Sequence, residues 1–159
     1  MSAQEDVIAE IRPRPARRWI GIAVQGTLGA VLLALGVAVG VASILASVAV
    51  LLLGGLMLWG TIGLYQSTAL HLELTDTELR DSMGRVLTRV DAVKSVDRGA
   101  LAFKPSNGFL LTTDTPAPFV WAPGLWWRVG RFVGVGGVTP AGEGKVVAEL
   151  ISAAIAARS

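Results

Sequence analysis

The chain has 159 residues, of which 52% are hydrophobic and only 16% are charged. It contains no cysteine, which excludes disulfides, thiol catalysis and cysteine-ligated metal centres. Its 14 basic and 12 acidic residues leave a net charge of +2. Because the basic residues do not cluster on one long face, we do not expect nucleic acid to be a partner.

The charged residues are confined to the two ends of the chain, since no Asp, Glu, Lys or Arg occurs between Arg18 and Glu73. A single helix over Trp19–Gln66 would be more than twice as long as the bilayer core, which is about 30 Å thick. Two helices fit this span, and the apolar run is too long for a signal peptide. The sequence therefore predicts a transmembrane hairpin over residues 18–66, with helices over 18–38 and 43–66 and a turn near 38–43.

Residues 1–17 are predicted to form a basic tail in the cytoplasm, because basic residues beside a membrane span are retained on that side. The four residues that set this orientation are Arg12, Arg14, Arg17 and Arg18. Two spans return the rest of the chain to the same side. We therefore expect a multi-pass protein of the cell inner membrane with both termini cytoplasmic.

Small residues recur inside the predicted hairpin, and Gly36 and Gly40 have the GxxxG spacing. Such positions let helix backbones approach closely in lipid, where close packing is a main source of helix association. The spacing fits two alternatives. The two helices of the hairpin pack against each other, or they present a docking face to a larger membrane complex.

From Ala69 onward the hydrophobic pattern alternates with a period of two, which is typical of half-buried strands. Strands are predicted over Ala69–Thr75, Glu78–Ser82, Arg85–Val90, Val93–Arg98, Ala100–Phe103, Phe109–Thr113, Phe119–Trp121 and Phe132–Val138. Hairpin turns are predicted at Met83–Gly84 and Pro105–Gly108, and Thr115–Pro118 is predicted to interrupt the pattern.

The period changes again near the C-terminus. Thr139 followed by Pro140 fits the N-cap and first position of a helix. The apolar residues after them, from Val146 to Ile155, have helical spacing and predict one amphipathic helix. The segment after the hairpin is therefore expected to be a curled antiparallel sheet closed by this helix.

These segments resemble bacterial PH-like membrane proteins, in particular alphaproteobacterial members. The likeness depends on LTDTELRDSMGRVLTRVDAVKSVDRG (74–99), FKPSNGFLL (103–111) and WAPGLWWRVGRFVGVGGVT (121–139). The resemblance implies an α+β membrane protein in which the hairpin precedes a cytoplasmic PH-like domain over residues 69–159. That domain would be a small antiparallel β-barrel or curled sheet closed by the C-terminal helix. The family has no common catalytic motif.

A short segment near Pro123 and Gly124 is unusually rich in tryptophan and arginine. Its members are Trp121, Trp126, Trp127, Arg128 and Arg131. Both residue types are enriched at protein interfaces, and tryptophan also favours the bilayer headgroup region. The sequence leaves two alternatives open: the indoles fill the core while the arginines face water, or the segment is a loop that contacts a partner or the membrane.

Two further features are expected to be structural. His71, the only histidine, alternates with apolar residues and has no nucleophile or orienting acid at a recognisable spacing. Gly134–Gly137 lacks the P-loop and dinucleotide fingerprints, so it predicts a strand or bulge with close backbone approach. We therefore predict no catalytic residues, no cofactor and no metal site.

The pattern as a whole predicts a non-enzymatic, membrane-anchored PH-like module. It would bind a membrane or cytoplasmic protein partner, as an accessory component of a larger membrane complex. The alternative is a peripheral lipid-surface sensor that uses the Trp/Arg loop. The lipid bilayer is an expected partner, and association with a second copy of the chain is left open.

Overall fold

A computed structural model describes residues 6–40, 43–99 and 108–158 of the chain. It divides into two compact units, one formed by residues 15–66 and the other by residues 1–14 together with 67–159. The first unit is helical and the second contains two antiparallel sheets and a C-terminal helix. The predicted α+β class, with two apolar helices followed by a small β region, is therefore confirmed.

The helical unit consists of two helices, α1 (Pro15–Val39) and α2 (Ile44–Ser67). Each has a mean hydropathy of 2.1 over its most apolar window and is long enough to cross a membrane. The connection falls within the predicted turn, although residues 41 and 42 lie outside the described part of the chain. The predicted helices are thus present and extend slightly further at their outer ends.

The two helices pack through layers in which a small residue faces a residue of the opposite helix. Successive layers pair Gly26 with Thr61, Gly29 with Leu58, Leu33 with Gly54, Gly36 with Leu51, and Gly40 with Ser47. The spacing alternates between three and four residues on both helices, which is the heptad spacing of a coiled coil. The Ser47 hydroxyl also donates a 2.6 Å hydrogen bond to the Gly36 carbonyl. In this structure both Gly36 and Gly40 therefore face α2.

The second unit contains seven strands and one long helix among its described residues. The strands are β1 (Ala9–Ile11), β2 (Leu72–Leu74), β3 (Glu78–Asp81), β4 (Val86–Arg89), β5 (Val93–Asp97), β6 (Phe109–Ala122) and β7 (Trp126–Val135), and the helix is α3 (Ala141–Ala156). One sheet has the order β1-β2-β3-β4 and the other has the order β5-β6-β7, with every pair antiparallel. A single 3₁₀ turn, Val90–Ala92, connects the two sheets.

Strand β1 comes from the segment that precedes the two apolar helices. It pairs with β2, with Ala9 opposite Leu74 and Ile11 opposite Leu72. The Ile11 side chain is fully buried in the core. The sequence predicted only a basic tail here and did not anticipate the strand. The apolar hairpin is therefore inserted in the chain between two neighbouring strands of one sheet.

The sheets do not form a closed barrel in the described part of the chain, so this part of the expectation was wrong. No backbone ladder joins β4 to β7, and the two sheets keep separate hydrogen-bond networks. The core lies between them. Its largest fully buried side chains include Trp126, Phe109, Leu79, Leu87 and Leu125. Helix α3 adds its own apolar stripe of Val147, Ala148 and Ile151 to this core.

Strand β6 continues through the segment where an interruption was predicted. The predicted break at Thr115–Pro118 and the separate strand Phe119–Trp121 were therefore wrong. Instead the register shifts twice within β6, between Thr112 and Ala117 and again between Ala117 and Val120. Prolines lack a backbone N–H, but β-bulges can accommodate them because the ladder is already interrupted there.

The start of α3 also differs from the prediction. Pro140, and not Thr139, is the N-cap, since its backbone is extended and its carbonyl accepts a 3.2 Å hydrogen bond from the Gly144 N–H. The buried Thr139 hydroxyl has no hydrogen-bond partner. The predicted strand Ala100–Phe103 and the predicted turn at Pro105–Gly108, apart from Gly108, lie outside the described residues.

Candidate functional site

The Trp/Arg cluster lies on the hairpin formed by β6 and β7. Trp121 is on β6, and Trp126, Trp127, Arg128 and Arg131 are all on β7. The turn between the strands occupies residues 123–125. Of the two alternatives left open by the sequence, the structure places these residues on strands and not in a loop, and it leaves their role as contact residues untested. The five residues consequently have different environments.

Trp126 is a core residue, with 2% of its surface exposed. Its indole Nε1 is buried and has no hydrogen-bond partner in the structure. The guanidinium of Arg85 lies 5.8 Å from the ring centroid, within the range of a cation–π contact. Trp126 therefore stabilises the fold and is not available to a partner.

Arg128 bridges the open side between the two sheets. Its guanidinium donates three hydrogen bonds, to the carbonyls of Pro118 (3.1 Å), Val86 (3.0 Å) and Leu87 (3.0 Å). Val86 and Leu87 belong to β4, whereas Arg128 belongs to β7. The side chain thus joins the two strands where no backbone ladder joins them. Its bonding capacity is largely used within the protein.

Trp127 packs over the Gly-rich end of its own strand. A Cβ atom at Gly134 would lie 2.3 Å from the Trp127 indole, so only glycine leaves room for it. The turn of the hairpin also folds back onto this region. The Gly136 N–H donates to the Leu125 carbonyl (2.9 Å), and the Val138 N–H donates to the Gly124 carbonyl (3.0 Å). The Gly-rich segment therefore makes the close backbone approach that was predicted.

The outer side of the hairpin exposes a group of large apolar side chains, which we call the aromatic face. Its members are Phe119 (69% exposed), Trp121 (57%), Val129 (48%) and Phe132 (48%). Phe119 and Trp121 are two residues apart on β6 and point the same way. Trp127 of β7 pairs with Trp121, and Val129 is two residues from Trp127 on the same strand. Phe132 is alternate to Gly134, whose Cβ would meet the Trp127 indole, so all four residues share one side of the sheet. The sequence interpretation identified Trp121 but missed the other three.

The stretch of sequence that forms the aromatic face contains arginine but no acidic residue. No acidic residue occurs between Asp114 and Glu143 in the sequence, a stretch that includes Arg128 and Arg131. Because Arg128 is bonded to backbone carbonyls, Arg131 supplies the accessible charge. It is exposed, and no side-chain hydrogen bond or ion pair joins it to the described residues. An exposed guanidinium therefore lies next in sequence to Phe132 of the aromatic face.

Two of the N-terminal arginines hold β1 and the residues that follow it within the second unit. The Arg12 guanidinium lies 2.7 Å from a Glu10 carboxylate oxygen, and this hydrogen bond lowers the pKa of Glu10. The backbone N–H of Arg12 donates to the Glu143 carboxylate at 2.7 Å, and that of Arg14 donates to the Val138 carbonyl at 3.0 Å.

The other two arginines belong to α1. The Arg18 guanidinium lies 4.9 Å from the Tyr65 ring centroid and 5.4 Å from that of Trp19, and it donates to the Tyr65 carbonyl. Arg17 is exposed. Within the helical unit, the outer ends of α1 and α2 therefore share a group of aromatic and basic side chains. Such groups are typical of helix ends in the headgroup region.

His71 participates in a small ionic network on sheet β1-β2-β3-β4. Its Nε2 lies 3.1 Å from one oxygen of Glu73, and the other oxygen accepts a 3.1 Å hydrogen bond from Arg80. Across residues 6–40, 43–99 and 108–158, no group of three or more His, Asp or Glu side chains could hold a metal ion.

Comparisons with protein-family models, with curated proteins and with solved structures found no match for this chain. A functional assignment therefore depends on the sequence pattern and on the geometry described above. The feature that most clearly requires an explanation is the aromatic face, since large aromatic side chains are usually buried.

Proposed function

We propose that this chain is a non-enzymatic membrane-anchored module that binds a protein partner through the aromatic face of a PH-like domain. The exposure of Phe119, Trp121 and Phe132 on one side of the β6–β7 hairpin is the observation that carries the proposal. Binding energy at interfaces is concentrated in such aromatic and arginine side chains. The helices α1 and α2 would serve as the anchor in the inner membrane.

The PH-like assignment is supported by the order of the elements. The resemblance implies antiparallel strands closed by a C-terminal helix, and the second unit has a four-stranded and a three-stranded antiparallel sheet followed by such a helix. In this assignment β1 is the first strand of the domain, and the membrane hairpin occupies the connection between its first two strands. The domain therefore includes the N-terminal tail as well as the residues after α2.

The proposed topology places both termini in the cytoplasm. Because β1 and β2 pair within one sheet, the segments before α1 and after α2 must be on the same side of the membrane if both helices span it. The arginines beside α1 favour the cytoplasmic side. The same-side argument comes from strand pairing and is independent of charge.

The chemistry of the face specifies the kind of partner. Its apolar side chains require a complementary apolar pocket, and Arg131 in an acid-free stretch favours an acidic rim around that pocket. Only residues 12–14 separate β1 from α1, and only residues 68–71 separate α2 from β2. The domain is thereby tethered close to the bilayer, where membrane proteins are available as partners.

Site-specific photo-crosslinking tests the proposal. A photoreactive residue in place of Trp121 should give a discrete protein adduct in native membranes, and the additional change Phe119→Ala should greatly reduce its yield. The matched control is a photoreactive residue at Val146, which is exposed to a similar degree (51%) but lies on α3. Equal adducts from both positions, or no protein adduct at Trp121, would contradict the proposal.

A second candidate is contact of the same face with the bilayer surface, since tryptophan and arginine are also suited to lipid headgroups. In that case the photoreactive residue at Trp121 should yield lipid adducts instead of a protein adduct. The Arg131→Gln variant should also weaken binding to vesicles that contain anionic lipid. Binding to vesicles of neutral lipid would change little.

A further inference from the structure

We propose that strand β1 couples membrane insertion to folding, so that the second unit completes its core only when both ends of the hairpin lie on one side of the membrane. This inference depends on the proposed two-span topology but not on the identity of the partner. The N-terminal segment would then complete the folded core, in addition to orienting the hairpin in the membrane. A chain inserted with its ends on opposite sides would lack one strand and would not form the partner-binding domain.

The first argument is the burial of β1. Ile11 has no exposed surface and lies in the same core as Leu72 and Val147, which come from β2 and α3. Removing it would leave a cavity lined by apolar side chains and would expose one edge of the sheet. The remaining strands therefore cannot form the same core alone.

The second argument is the number of attachments along this short segment. The Ile8 N–H donates to the Leu74 carbonyl at 2.8 Å before β1 begins. After β1, Arg12 is bonded to Glu143 of α3, and Arg14 is bonded to Val138. Each of these contacts joins the N-terminal segment to a residue that follows the hairpin in sequence. The segment is thus part of the folded unit and is not a loose tail.

The third argument is the position of the hairpin in the chain. Helix α1 begins one residue after Arg14, so β1 cannot be carried across the membrane independently of α1. Strand pairing between β1 and β2 is possible only when an even number of spans separates them. Insertion and folding are therefore linked by the order of the elements.

The test changes the number of spans while keeping the complete chain. One variant carries an additional apolar span between Arg14 and Pro15, and the control carries a flexible Gly/Ser linker of equal length at the same place. Folding is read from the labelling of a single cysteine by a membrane-permeant maleimide, which is practical because the chain has no cysteine. Val147→Cys reports on the core (1% exposed), and its neighbour Val146→Cys is the exposed control.

We expect the linker variant to label slowly at Val147→Cys, as the parent chain does, and the additional-span variant to label at least about tenfold faster, since labelling follows the population of the open state. Val146→Cys should label quickly in all three chains. Slow labelling in the additional-span variant, or fast labelling in the linker variant, would overturn the inference.

Sidedness is measured separately with an impermeant maleimide on Asp6→Cys and Ala156→Cys in otherwise unchanged chains, because both positions are exposed. Labelling of both from the same side supports the two-span topology. Labelling from opposite sides would overturn both that topology and the coupling. If both positions label from the same side but Val147→Cys still labels slowly in the additional-span variant, the two-span topology stands and only the coupling is rejected.

Discussion

Replacing Trp126 with alanine should strongly destabilise the second unit, whereas the same change at Trp121 should not. The two residues are close in sequence and identical in type, but Trp126 is 2% exposed and Trp121 is 57% exposed. Truncating a buried tryptophan costs about 3–5 kcal/mol because it removes apolar burial and leaves a cavity. A surface substitution usually changes stability by less than about 0.5 kcal/mol.

This difference is large relative to the stability of a small domain, which is typically about 5–15 kcal/mol. A loss of 1 kcal/mol lowers the melting temperature of a domain of about 60–100 residues by about 4–8 °C. The Trp126→Ala variant should therefore melt at least about 12 °C below the parent. Trp126→Phe should lose less, because it keeps an aromatic ring and removes the Nε1 donor that has no partner.

Unfolding can be followed in the full chain, in mild detergent, by the urea dependence of thiol labelling at Val147→Cys. This readout does not depend on tryptophan fluorescence and does not respond to the helices of the hairpin. Trp126→Ala should shift the midpoint to clearly lower urea, and Trp121→Ala should leave it near that of the parent. Equal midpoints for the two variants would refute the assignment of Trp126 to the core.

Two further predictions concern contacts of named residues. Gly36→Leu should disrupt hairpin packing, because its Cβ would lie 2.8 Å from the Leu51 side chain. The assay is disulfide formation between Gly40→Cys and Ser47→Cys, whose Cβ atoms would be 3.7 Å apart. The control for Gly36→Leu is Gly55→Leu, because a Cβ at Gly55 would have no neighbouring atom within 4 Å. Arg128→Gln should cost about 1–3 kcal/mol of unfolding free energy, because three carbonyls lose a charged donor. Arg131→Gln should leave the urea midpoint unchanged, and similar losses in both variants would contradict the bridging role of Arg128.

The elements that were predicted correctly have strong local patterns. The apolar hairpin is recognisable because no Asp, Glu, Lys or Arg interrupts it over more than two membrane thicknesses. Strand β2 alternates in hydrophobicity, short polar turns separate β2 from β3 and β3 from β4, and α3 has the helical period. In each case a few consecutive residues contain sufficient information to identify the element and its approximate limits.

Strand β1 could not be predicted in the same way. It has three residues, and only Ile11 is buried, so its alternation is too short to recognise. Its partner β2 follows the whole apolar hairpin in sequence. The pairing of β1 therefore depends on a contact between residues distant in the chain, and no local pattern around Ala9–Ile11 indicates it.

The orientation of the tryptophans in the candidate site depends on an irregular stretch of the β6–β7 pair. Near the end of this strand the odd-numbered residues Val133 and Val135 face the core. Extending that alternation backwards would bury Trp127 and expose Trp126. The structure shows the opposite order, because Gly130 has a φ of 56° and the register of the β6–β7 pair shifts at this residue. The register shifts place extra residues on β6, and β7 changes its faces across Gly130, so that Trp126 and Val133 are both buried although one number is even and the other odd. The composition of the segment thus identified the right region, but the contribution of each side chain to the core or to the surface is determined by a backbone conformation that hydrophobic alternation does not reveal.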